Sequence, residues 1–200
     1  MGALLAILAI PIMLLNWLGG IVGFIWLIVL GDWATIGLGV AVLLVGTFAI
    51  GLALAPGMLV MAPMAALYER GRRTSALVIG ALGLLWTYAV LTVWCVGMFT
   101  YMLSRAEGDS IIPYLLWGYG AATGPWTYMA HKESRADPSA PATMTAFAAQ
   151  LGVMSMMVGA LIDQSDLSFE RLAWFFVPFV GMCLVAQLAL AALASRERQF

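Results

Sequence analysis

Apolar residues in this chain neither alternate nor form narrow stripes. They run on between short polar interruptions for lengths that suit a bilayer core, which takes about 20 helical residues per crossing. Windows of about 19 residues divide the sequence into six such stretches, near 12–31, 36–55, 76–103, 111–130, 142–162 and 171–194. Without period-two alternation the stretches predict helices and not barrel strands, since only these two structures satisfy their backbone in lipid. The expectation is an all-α integral membrane protein, a six-transmembrane-helix bundle forming a single polytopic domain over 1–200 with short loops and no linker.

Two stretches are longer than one crossing needs. Residues 3–31 contain Pro11, and residues 34–67 contain Pro56, Gly57 and Pro63. As one helix the second would be roughly 50 Å long against a core of about 30 Å. A proline removes a backbone donor and crowds the preceding turn. We therefore expect a crossing to about Ala55, then a separate interfacial segment over 57–68. Around Pro11 two outcomes stand open, an interfacial segment over 1–10 or a kinked, tilted helix.

The charges lie between the stretches and are unequally shared. Arg70, Arg72, Arg73, Lys132, Arg135, Arg196 and Arg198 fall on one side, and only Arg105 and Arg171 on the other. Basic loops stay in the cytoplasm, which predicts cytoplasmic N- and C-termini. Asp32, Glu107, Asp109, Asp163, Asp166 and Glu170 then make the outer face acidic.

Composition strengthens this picture. The chain is 64% hydrophobic and 10% charged, with a mean hydropathy of +1.00, whereas a soluble domain carries about 25% charged residues. No Lys or Arg precedes the first apolar run and no small-x-small cleavage site follows it, so the first helix is expected to stay. Ala6 stands where a myristoylation signal needs Ser or Thr. No basic patch offers itself to nucleic acid. One Lys against eight Arg, with abundant Ala and Gly, points to a GC-rich bacterial genome and hence to the inner membrane.

The candidate chemistry is sparse. Asn16, Gln150 and Gln187 are the amides placed deepest, all in the cytoplasmic half, and each needs a partner in hydrocarbon. They either converge on a polar pocket between spans one, five and six or serve as interhelical hydrogen bonds, the latter worth about 0.6–2 kcal/mol each. Asn16, Gly19, Gly20 and Gly23 share one helical face. With Gly120 and Gly124 they form a helix-packing groove or, on the functional reading, a solute path beside an amide. Trp86, Trp94 and Tyr101 recur at near-heptad spacing on span three, as core or as the wall of an aromatic cavity for an apolar or cationic ligand. Trp17, Trp33, Trp117, Trp126 and Trp174 are expected at the interfaces.

Asp32, Asp163 and Asp166 form a candidate outer acidic rim that could attract cations, hold a divalent ion or supply an aspartyl pair. The competing reading is solvated loop charge beside Arg171. His131 stands alone at the cytoplasmic interface, and Cys95 and Cys183 have neither metal-ligand nor redox spacing. No metal or cofactor is expected. No Glu, Lys or Arg sits at the centre of a span, which disfavours a proton relay.

In size, about 200 residues with six spans and cytoplasmic termini, the chain resembles the substrate-binding components of vitamin importers and small urea channels. No motif is shared, so no residue role is carried over. Three functional classes follow: a small channel or solute-binding component for a neutral or cationic solute, an accessory or assembly subunit, and an intramembrane enzyme using the external aspartates. The last lacks a nucleophile or metal constellation, so the sequence leans away from an enzyme. The bilayer is the expected environment, and the glycine faces suit a homo-oligomer or a membrane-protein partner.

Overall fold

The computed structural model describes residues 2–106, 110–134, 141–165 and 167–197. For residues 2–13, 15, 16, 133, 134, 141, 142 and 193–197 only the backbone is described. Within these residues the chain is all-helical: α1 (Gly2–Leu30), α2 (Trp33–Met61), α3 (Met64–Glu69), α4 (Arg73–Leu103), α5 (Ile112–Ser134), α6 (Pro141–Ile162) and α7 (Phe169–Glu197). Among the described residues four stretches are long and apolar enough to cross a membrane: Trp33–Glu69, Arg73–Leu103, Thr143–Ile162 and Phe169–Ala192.

Leu44, Phe48 and Leu59 of α2 are 76%, 74% and 74% exposed. An apolar surface of this extent, continued on α1, α4 and α7 by residues such as Val29, Val93 and Trp174, is far beyond what a soluble monomer presents to water. It fits lipid. The core is built around α5, which touches α1, α2, α4 and α6 and buries Tyr114, Leu115, Trp117, Tyr119, Thr123, Trp126 and Thr127. This helix mixes Gly, Tyr, Trp and Thr and is not among the four stretches long and apolar enough to cross a membrane. A helix screened from lipid by its neighbours has no need of a uniformly apolar surface.

Two glycine turns set the hairpins. Gly31 (φ 75) ends α1: its N–H reaches the Ile28 carbonyl and the Asp32 N–H reaches Leu27, both at 3.1 Å. Gly71 (φ 73) repeats the pattern after α3, with bonds to Tyr68 and, from Arg72, to Leu67. Both are Schellman endings, whose left-handed residue is most easily a glycine.

The break expected near Pro56 lies elsewhere. Helix α2 runs through Pro56 to Met61 and stops before Pro63, after which only the short α3 follows. The physical reason sits on α4. Proline cannot donate to its own helix and disturbs the turn before it. The Trp86 indole N–H donates to the Ala53 carbonyl of that turn at 2.8 Å, and the ring lies against Gly57, where a Cβ would come within 2.7 Å of it. A neighbouring helix thus supplies a donor in the turn that the proline disturbs, one of the ways in which prolines are accommodated in transmembrane helices. Pro125 of α5 receives similar support, since Trp94 donates to the Ala122 carbonyl at 3.1 Å. Around Pro11, α1 takes the continuous alternative and is helical from Gly2 to Leu30.

Candidate functional site

The glycines of α1 face α5. A Cβ on Gly120 would stand 3.3 Å from the Gly20 Cα, and one on Gly23 would stand 2.6 Å from the Trp117 backbone nitrogen. Here two helix backbones meet with no side chain between them, the geometry that small residues permit. Gly19 is looser, with Leu116 at 3.6 Å from a built Cβ, and Gly124 faces the Leu43 side chain of α2. The sequence face of Gly19, Gly20 and Gly23 is therefore occupied from within the same chain.

Helices α1 and α2 separate from the turn at Gly31, and α5 floors the wedge between them. The result is a cleft of about 540 Å³. Its floor is Gly120, Gly124 and Thr127; its walls are Gly20, Ile21 and Phe24 of α1, Leu43 of α2 and the Trp117 ring; and Trp17, Tyr128 and His131 stand at its wide end. Trp17, Ile21 and Tyr128 are exposed, so the cleft opens to the side between α1 and α2. A second cleft of about 1020 Å³ lies beside α3, α4 and α7, with Met61, Met64, Met144, Tyr68, Glu69 and Gln187 on its walls.

Trp117 shapes the first cleft. Its indole N–H donates to the Thr35 carbonyl at 3.0 Å, and its ring meets Phe24 at 5.4 Å and 47°. It sits over Gly39, where any Cβ would collide with the indole. Trp117 and Trp126, expected at the interface, are both buried in the bundle, whereas Trp17, Trp33 and Trp174 are exposed. Burial follows from the central place of α5. The glycine signal was available in α2: Gly39, Gly46 and Gly57 lie within about 20° of one face, and they receive Trp117, Trp94 and Trp86 in turn. Trp86 and Trp94 also border a shallower side groove of about 460 Å³ between α2 and α4.

The deep amides occupy different interfaces. Gln150 of α6 is buried and donates from Nε2 to Thr127 Oγ1 at 3.0 Å, while the Thr127 hydroxyl donates to the Thr123 carbonyl at 3.0 Å. Gln150 thus braces the floor of the first cleft from behind and does not line it. Gln187 belongs to the wall of the second cleft. Asn16 lies in α1, and its side chain falls outside the described residues.

The acids also go to separate places. Asp32 is the N-cap of α2: its carboxylate accepts from the Thr35 N–H at 3.0 Å, the Thr35 hydroxyl at 2.7 Å and the Tyr114 hydroxyl at 3.1 Å. Burial pushes this carboxyl up, but the Thr35 and Tyr114 hydrogen bonds and the charge of Arg105 outweigh it and hold the pKa below the ordinary value. Asp163 accepts from the Ser165 hydroxyl at 2.6 Å and pairs with Arg171 at 3.4 Å. The Ser165 bonds first, against slight desolvation and with help from Arg171, keep its pKa low. Asp166 lies outside the described residues. Among the described residues no group of three His, Cys, Asp or Glu gathers to hold a metal.

Comparison with protein-family models, with curated proteins and with solved structures returns no match. The likeness in size to importer components and urea channels therefore carries no argument, and function rests on the clefts.

Proposed function

We propose that the protein is a multi-pass membrane protein of the bacterial inner membrane, with six crossings and both termini on the Lys- and Arg-rich side. In this reading it is a binding component that receives an apolar ligand sideways from the bilayer. The observation that carries the reading is the cleft of about 540 Å³ between α1 and α2. Its volume is in the range of small-molecule sites, roughly 300–1,000 Å³, and its walls are almost wholly apolar and aromatic. A neutral or cationic solute crossing in water would need a polar path, and Gln150 supports that path poorly because Thr127 engages it at the α5–α6 interface.

The accessory-subunit reading drew on a glycine groove free to meet a partner, but Gly20 and Gly23 are spent on α5. The enzyme reading draws no support from Asp32 and Asp163, each engaged by its own neighbours.

The test is extraction in mild detergent followed by mass spectrometry of the organic-soluble material that copurifies. Stoichiometric apolar material in the wild type and its loss in Leu43→Trp, which fills the cleft from a partly exposed position, are expected. A wild-type protein that carries none would count against lateral binding.

A further inference from the structure

The cleft runs along α5 from Trp117 to His131, fourteen residues, or about 21 Å at the helical rise. One leaflet of a bilayer, headgroup region included, measures about 20–22 Å. Cleft and leaflet therefore match in length, and their polar ends coincide. At one end Trp117 packs on Phe24, and toward the other lie Trp17, Tyr128 and His131. Helix α5 ends with His131 and Lys132 in its last turn, both exposed.

Volume separates the occupants. A transmembrane helix of about 10 Å diameter fills some 2,000 Å³ over a crossing, roughly four times the cleft, so a helix would rest on the rim and leave the glycine floor empty. A single extended hydrocarbon chain reaches the floor. From this, together with the lateral-binding reading on which it rests, we infer that the cleft holds one acyl chain of an anionic phospholipid, its phosphate at the His131–Lys132 end of α5. Gly20, Gly120 and Gly124 line the cleft beside the chain without side chains of their own to obstruct it, and Lys132 provides the charge that selects the headgroup. A cation near a membrane surface contributes about 1 kcal/mol toward anionic lipid, or about fivefold.

The experiment reconstitutes the whole chain in vesicles of equal phosphatidylglycerol and phosphatidylcholine, extracts it in mild detergent and counts retained lipid by native mass spectrometry. One lipid per chain is expected, with phosphatidylglycerol preferred about fivefold. Lys132→Gln should keep the lipid and bring the preference toward one, and Leu43→Trp should lose the lipid. Equal retention of both lipids by the wild type, with loss in Leu43→Trp, overturns the headgroup assignment and leaves lateral binding standing. Unchanged retention in Leu43→Trp, or retention of a second copy of the chain in place of lipid, overturns both.

Discussion

Replacing Gly39 by Ala adds one carbon at the point where the Trp117 indole lies on α2. Helix propensity alone would reward the change by about 1 kcal/mol. Against this, the Cβ falls inside the space of the indole, and overpacking of a well-filled site costs about 1–3 kcal/mol. Trp117 is only 5% exposed, and moving it breaks its bond to the Thr35 carbonyl. A buried donor left without an acceptor costs about 1–3 kcal/mol more. The net expectation is a loss of about 2–3 kcal/mol, with a shift of the Phe24–Trp117 wall of the cleft. Gly37, two residues earlier on the same helix, has nothing within 4 Å of a built Cβ, so Gly37→Ala should be neutral or stabilising by up to about 1 kcal/mol. Equilibrium unfolding in mixed dodecyl maltoside and dodecyl sulfate micelles, followed by circular dichroism, measures both. If Gly39→Ala proves as stable as Gly37→Ala, the seating of Trp117 on Gly39 does not hold.

Further outcomes follow from single contacts. Trp86→Phe removes the donor beside Pro56 and should cost about 1 kcal/mol, with faster hydrogen exchange confined to the turns of α2 around residues 52–60. Gln150→Leu should cost no more than about 1–2 kcal/mol, because Thr127 keeps its bond to Thr123; a loss well above this in the same titration would give Gln150 a larger part than bracing. Asp32→Ala should cost about 1 kcal/mol as a lost N-cap. The depressed pKa of Asp32 means its contribution is complete above the ordinary value of 3.8 and is lost as pH falls through the lower folded value. Stability of the wild type should therefore fall in acid below about pH 4, and Asp32→Asn, which still caps, should lessen that fall.

The helices were legible because their apolar runs are long and are bounded by short polar interruptions. The position of the break was not, since Pro56 is tolerated through Trp86, whose indole bonds to Ala53 from 33 residues further along the chain. The face of Gly19, Gly20 and Gly23 was legible as a groove, but a groove does not name its partner, and α5 is distant in sequence. Burial of Trp117 and Trp126 escaped a reading by distance from span ends, because it depends on α5 being central. The Asp32-x-x-Thr35 pattern could have announced an N-cap in place of an acidic rim. The cleft has no sequence signature. It arises from the divergence of α1 and α2, which no local pattern encodes.

Lateral opening to lipid, in place of an aqueous path, is tested most directly by spin-label accessibility. The label would be placed by Leu43→Cys, and in a second protein by Gly124→Cys, in a chain with Cys95 and Cys183 replaced by Ala, reconstituted in vesicles. Both labels should collide with oxygen, which concentrates in the bilayer, and be shielded from a water-soluble nickel chelate. Labels relaxed by the nickel chelate and not by oxygen would put water in the cleft and contradict the lateral site.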